Sequence, residues 1–225
     1  MAKGPKIKID TKPFEGALHR YMEGSRREIG TVLKQQLRVF SRHMVDLTPP
    51  ARGGTRGVAA KKSGEKAVEG DIRNAFEPVH PNRADITYSE MPRVVKSLRQ
   101  GGKKRIKHRV PNARKASRGD ITKLVKARKK KVGMLGAAWV KAGRSAFGKV
   151  AAPAWISRHM GRTKGFGKFR QALNRAFAEV TNAVSFAGNI HGLQRRAQFA
   201  LNAQARKMNA QVDHRLEQQA KKNRL

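Results

Sequence analysis

DITKLVKARKKKVGMLGAAWVKAGRSAF, residues 120–147, carries the two signals on which the reading of this chain turns. Asp120 is a good N-cap, and Ile121, Leu124, Val125, Val132, Leu135 and Trp139 follow at helical spacing. The opposite face holds Lys123, Lys126, Arg128, Lys129, Lys130 and Lys131, and Lys141, Arg144 and Lys149 come after it. Gly133, Gly136 and Gly143 predict a bend, or a second helix over 135–147. The stretch reads as helical core with a cationic far side.

Helical periodicity continues toward both ends. Lys6-Ile7-Lys8-Ile9 reads as either a short strand or a basic arm. Asp10 or Thr11 caps a helix, and Phe14, Leu18, Met22, Ile29, Val32, Leu33, Leu37, Phe40, Met44 and Leu47 then recur at the period of one helix face. Gly24 and Gly30 weaken that pattern, and Thr48-Pro49-Pro50 ends it. The expectation is one helix of roughly 50 Å, at about 1.5 Å per residue, too long for a small core to cover alone.

Residues 49–64 read as a loop, and a short helix starts at Ser63 with Ala67, Val68, Ile72, Ala75 and Phe76 inward. Pro78, Pro81 and Pro92 break residues 77–92, and a third short helix runs from Met91 to Arg99. Ala151 to Ile156 reads as an apolar corner and Gly161 to Gly167 as a basic turn. Ala178, Val180, Asn182 and Val184 alternate as a strand does, and Leu193, Ala197, Leu201, Ala205, Met208, Val212 and Leu216 mark a long C-terminal helix.

The full chain has 225 residues, 51 Lys+Arg, 15 Asp+Glu and no cysteine, for a formal charge of +36. No disulfide framework or thiolate site is available. No apolar run approaches the roughly 18 residues of a membrane span, and the N-terminus lacks an apolar signal region. The expectation is a protein that is neither secreted through a signal peptide nor integral to a membrane. Residues 91–178 hold 26 basic residues and a single acid, Asp120, a net of +25. An evenly solubilising charge would not concentrate in this way. Such a segment fits a polyanion, met through backbone phosphate without base readout. The candidate contacts are Lys103, Lys104, Arg105, Lys107, Arg109, Arg114, Lys115, Arg118, Lys126, Arg128, Lys129, Lys130 and Lys131. The run after Gly101-Gly102, with few large apolar residues, reads as disordered when alone in water.

Enzyme signals are weak. Gly143-Arg144-Ser145-Ala146-Phe147-Gly148-Lys149-Val150 nearly matches a phosphate loop, but Val150 lacks the hydroxyl that would hold Mg²⁺, and a helix precedes it where a strand is required. A glycine-punctuated helix end explains the string better. His19, His43, His80, His108, His159, His191 and His214 form no metal-ligand spacing. No catalytic residue, metal or cofactor is expected. A metal-dependent nuclease or integrase would need clustered carboxylates, which the carboxylate census argues against; loss of divalent-dependent cleavage on mutating Asp71 or Asp120 would revive that reading.

An ordered series of motifs adds to this. It runs Leu47-Thr48-Pro49-Pro50, Gly64-Glu65-Lys66-Ala67-Val68, Asp71-Ile72, then Val132-Gly133, Leu135, Trp139 and Ala142. Pro153-Ala154-Trp155-Ile156, Arg158-His159, Val180-Thr181-Asn182, Val184 and Phe186-Ala187 follow, and a polar C-terminal helix closes it. The series resembles the minor tail or tail-completion (neck) proteins of long-tailed double-stranded DNA phages. Phe186 stands where that family often has Tyr, and the basic insert at 101–118 is unusually long. The resemblance implies a structural virion protein at the head–tail joint or tail terminus, assembled in the host cytoplasm. It implies a homo-oligomeric ring, expected to be six-fold, around the DNA channel. Its partners would be connector, tail-terminator or tail-tube rings and packaged DNA bound without sequence preference. That family has no known active site. The alternative is a cellular nucleic-acid-binding protein of the ribosomal or chromatin-associated kind.

The expected fold class is α+β and mostly helical, with long N- and C-terminal amphipathic helices, a small strand element and a basic extended loop. The expected segments are 1–100, 101–119 and 120–225, together one structural domain.

Overall fold

The computed structural model describes residues 9–25, 28–50, 57–99, 105–172, 175–185 and 192–222. Lys6, Ile7, Lys8, Gly53, Gly54, Lys103, Lys104, Phe186, Ala187 and His191 lie outside these residues. The fold is mostly helical α+β, as the periodicities predict. The chain forms two compact units, residues 1–48, 134–187 and 192–225 in the first and 49–133 with 188–191 in the second. Their boundaries coincide with none of the expected segment limits.

In the first unit the single long helix is replaced by two, α1 (Lys12–Ser25) and α2 (Ile29–Leu47). Glu28 has extended backbone and caps α2, so the apolar stripe is shared between two shorter rods. Gly24 and Ser25, poor helix formers, sit at the end of α1. The 50 Å helix that a small core could not cover alone is thus not formed. Thr48 ends α2 in extended conformation, as the following prolines require.

Phe14, Leu18 and Tyr21 of α1 are buried, and α1 packs on the long C-terminal helix α8 (Leu193–Lys222). Ala197, Ala200 and Leu201 bury the same side of α8, whereas Leu216, which belongs to that stripe by its spacing, is exposed. Val32 and Met44 of α2 are fully buried, and α2 packs against α6 (Met134–Phe147) and α8.

The break inside residues 120–147 is real. A turn at 130–133 separates α6 from α5 (Arg118–Lys129) of the second unit. The phosphate-loop-like string is the end of α6: Gly148 adopts φ +83°, and Arg38 donates to the Phe147 carbonyl from Nε and Nη2 at 3.1 and 2.7 Å. The corner at 151–156 contains one short turn of helix, α7 (Ala154–Ser157).

The basic turn expected at 161–167 is instead a 3₁₀ turn (Met160–Arg162) followed by a strand. We label the strands in chain order: β1 (Phe76–Val79) and β2 (Arg114–Ser117) in the second unit, β3 (Gly165–Ala172) and β4 (Arg175–Asn182) in the first. β3 and β4 form an antiparallel hairpin in which Gly165 faces Asn182 and Ala172 faces Arg175. One face of the hairpin lies on α6. A Cβ on Gly165 would run into the Ala138 carbonyl, and one on Gly167 into the Ala142 carbonyl and the Ala146 methyl. Ala138, Ala142 and Ala146 recur every four residues, so α6 offers a smooth groove that only glycine lets a strand enter.

The second unit holds α3 (Gly57–Ala75), α4 (Met91–Leu98), α5, β1 and β2. α3 starts six residues earlier than Ser63. Ala59, Ala60, Lys61 and Lys62 favour helix, and Gly64, which reads as a loop residue, is where α3 meets Pro50 and Val132. β1 and β2 pair in parallel, Phe76 with Arg114 through Val79 with Ser117. Pro78 is tolerated because β1 has one strand neighbour. The core is Ile72, Ala75, Phe76, Ile86, Met91, Ile106, Ala116, Ile121, Leu124 and Val125.

Substituting Gly167 with Val drives a side chain into the Ala142 carbonyl and the Ala146 methyl and should destabilise the first unit by about 1–3 kcal/mol. Urea denaturation followed by tryptophan fluorescence measures this; an unchanged midpoint would show that the hairpin does not need so close an approach.

Candidate nucleic-acid interface

The candidate residues described by the structure sit on three parts of the second unit. Arg105, Lys107 and Arg109 lie on the arm leading to β2, Arg114 and Lys115 on β2, and the rest on α5 and the turn after it. The arm is not the free chain that its composition predicts. Ile106 is 7% exposed and enters the core, the Asn74 amide donates to its carbonyl at 3.0 Å, and Val110 N–H donates to the Asn74 carbonyl. Burying the isoleucine contributes roughly 2 kcal/mol. Each such hydrogen bond adds about 1 kcal/mol, so one apolar residue, one side-chain amide and one backbone amide outweigh any surface ion pair.

Asp71 is the centre of this arrangement. It is 1% exposed, and it accepts from Arg99 at the end of α4 and from Arg105 Nε at 3.2 Å. Arg105 Nη2 also donates to the Ala67 carbonyl, 3.0 Å away and one helical turn earlier. Ala67, Asp71 and Asn74 are spaced to share one face of α3, and that face holds the arm. A buried carboxylate is tolerated only when paired and hydrogen-bonded, and two guanidinium groups meet that need.

Two further candidates are also tied to acids. Lys129 donates to Glu69 of α3 at 2.5 Å, and Arg114 pairs with the Asp85 carboxylate at 3.2 Å and donates to its carbonyl. The Glu69 carboxyl is held below its ordinary value, first by the hydrogen bond from Lys129 and then by that from Arg73, against the opposing effect of burial. Arg105, Arg114 and Lys129 thus build the unit. Lys107, Arg109, Lys115, Arg118, Lys126, Arg128, Lys130 and Lys131 are exposed and form no ion pair among the described residues.

On α5 the sequence expectation is Asp120 as the cap. Ser117 takes that role, its hydroxyl accepting from Asp120 N–H at 3.0 Å, while Asp120 sits in the first turn. Arg128 and Lys129 in the last turn complement the helix dipole. Lys123, Lys126 and Lys130 share one face by their spacing, and Lys123 also lies 4.6 Å from the Tyr88 ring centroid. An open groove of about 400 Å³ runs between α3 and the arm, lined by Ser63, Lys66, Ala67, Gly70, Asn74, Arg105, Ile106 and Lys107. Lys66 is not legible as a candidate in the sequence because the arm that faces it is some 40 residues away.

Asp71, a residue the nuclease alternative would use, has its carboxylate engaged by two arginines. Among the described residues no group of three or more His, Asp or Glu could hold a metal ion, and no helix is long and apolar enough to cross a membrane. No protein-family model, curated protein or solved structure matches this chain.

Replacing Asp71 with Asn removes the buried charge that holds two guanidiniums, themselves 40% and 42% exposed, and should destabilise the second unit by about 1.5–3 kcal/mol. Hydrogen exchange at the α5 and β2 amides reads this directly; unchanged protection would mean Asp71 does not anchor the arm. Glu69→Gln should cost less, below about 1 kcal/mol, because both partners are about a third exposed. The Glu69 carboxyl is depressed in the fold. Its contribution is complete above the unfolded value of about 4.3 and is lost as pH falls through the lower folded value. Acid denaturation of E69Q should accordingly show a shallower loss over that window than the parent chain, and identical acid limbs would contradict the assignment.

Proposed function

We propose that this chain is a structural component of a tailed DNA phage particle, placed at the head–tail joint or tail terminus. It forms a homo-oligomeric ring around the DNA channel, docks on neighbouring rings, and meets DNA phosphate through the second unit. The observation that carries this reading is the division of the cations in that unit. Glu65, Glu69, Asp71 and Asp85 already hold basic partners, and eight candidate cations remain exposed without one. A surface of that kind recruits phosphates and releases their counterions, irrespective of base sequence. The chain needs no catalytic group for such a role.

Exposed cations alone would serve a cellular nucleic-acid-binding protein equally well. The ordered motif series supports the particle reading. Several of its members have defined structural places: Thr48-Pro49-Pro50 ends α2, Leu135, Trp139 and Ala142 are buried in α6, and Val180-Thr181-Asn182 closes β4.

Two measurements test the proposal. Mass spectrometry and electron microscopy of purified particles should find the chain at the neck or tail end, and its absence from the particle would overturn the reading. Binding of the purified chain to duplex DNA should weaken steeply with salt and be indifferent to sequence. Changing Lys126, Arg128, Lys130 and Lys131 to Gln should lower the log–log salt slope by about 0.9 for each phosphate no longer neutralised. A flat salt response in the parent chain would mean that this face docks on protein instead.

A further inference from the structure

The groove between α3 and the arm has its own polar contacts already made. The Asn74 amide donates to the Ile106 carbonyl, and Arg105 directs Nε to Asp71 and Nη2 to the Ala67 carbonyl. What is left to face a ligand is cationic. Arg105 Nη1, the Lys66 and Lys107 ammoniums and the Ser63 hydroxyl have no partner among the described residues, and no carboxylate lines the groove. Asp71 lies buried beneath Arg105, and the nearby acids of α3, Glu65 and Glu69, are paired with Lys61, Arg73 and Lys129.

Gly70 keeps the groove open. It lies inside α3, where glycine disfavours helix relative to alanine. Packing does not call for it. A Cβ at Gly70 would meet nothing nearer than Arg105 Nη2 at 3.7 Å, an ordinary contact, whereas one on Gly64 would strike Pro50 at 2.5 Å. The missing side chain therefore accommodates no neighbour of its own fold; it leaves the floor clear between Ala67 and Asn74.

We infer that this groove seats one phosphate of a nucleic-acid strand together with its sugar. Its volume of about 400 Å³ lies at the lower end of small-ligand sites, enough for part of one nucleotide and too little for a duplex. The phosphate oxygens accept charge-assisted hydrogen bonds from Lys66, Arg105 and Lys107 and a further one from Ser63. The side chains of Ala67 and Gly70 offer the sugar an apolar floor. The inference rests on the phosphate reading above and adds to it a shaped seat, distinct from the open cationic face of α5.

The test is fluorescence anisotropy of the full chain with a labelled DNA duplex between 50 and 200 mM salt. Gly70→Met alters no charge and suits a helix, but it fills the floor. It should weaken binding by about tenfold and lower the log–log salt slope by about 0.9. Lys66→Gln and Lys107→Gln, exposed changes on opposite walls, keep the test valid should methionine disturb α3. Their combined loss should be smaller than the sum of the single losses, because both act on one phosphate. Unchanged affinity in a folded Gly70→Met, or strictly additive lysine losses, would overturn the seat. Isothermal titration with inorganic phosphate separates a strand from a free anion. Phosphate binding that is lost in Gly70→Met while DNA affinity is unchanged would assign the groove to a free anion and overturn the inference. Binding of a polyglutamate peptide in place of DNA, lost in the same variant, would overturn it as well. A parent chain that binds no DNA at all overturns the phosphate reading itself. Salt-dependent binding that responds to the α5 variants but not to Gly70→Met overturns the seat alone.

Discussion

The second unit depends on the pairing of Asp71 with Arg99 and Arg105. Carboxylates are scarce in this chain, and this one is placed inside the protein, at 1% exposure, between two guanidiniums from different segments. Taking a carboxylate out of water costs several kcal/mol, and only close, multiple pairing offsets that. The consequence is geometric. The end of α4 and the start of the basic arm are brought to one point on α3, Ile106 is directed into the core, and β2 is delivered beside β1. An arm fixed this way presents Lys107 and Arg109 from a folded base, so a polyanion binding there orders less chain than a disordered basic tail would require.

The first unit follows another rule, close approach between small residues. Ala138 and Ala142 of α6 are fully buried. The hairpin can rest on them because Gly165 and Gly167 have no side chain. Phe169 closes the end of this packing by lying edge-on against Phe147, with Lys34 over its other surface at 4.5 Å. The inner face of the hairpin is thereby fixed, and strand alternation turns Phe166 and Phe177 outward. Packing inside the unit and availability of the outer face are two results of one register.

How much of this is legible in the sequence depends on the distance over which each signal acts. α8 and most of α2 are legible because apolar residues repeat over three or more turns: Val32, Leu33, Leu37, Phe40 and Met44 are buried as their spacing predicts, as are Leu193, Ala197, Leu201, Ala205, Met208 and Val212, while Ile29 and Leu47 are half-buried and Leu216 is exposed. β1 and β2 leave no trace. Pro78 argues against a strand, and Arg-Lys-Ala-Ser at 114–117 contains no β-branched residue; their pairing is imposed by the surrounding core. β3 reads as a turn because Gly165, Gly167, Lys168 and Arg170 look like one until Ala138 and Ala142 are known to lie beneath them. The cations of the candidate interface are visible by composition. Which of them are already paired is not. The acids that hold Arg105 and Lys129 lie 34 and 60 positions away, a separation at which no local pattern speaks.

The proposed interface rests on a division of the basic residues of the second unit into those paired with acids and those left exposed for phosphate. Lysine acetylation followed by mass spectrometry, with and without duplex DNA, reads that division residue by residue. Lys107, Lys115, Lys126, Lys130 and Lys131 should react readily in the free chain and become protected by DNA. Lys129, held by Glu69, should react slowly in both conditions. Protection of none of the exposed lysines, or a DNA-dependent change centred on Lys129, would contradict it.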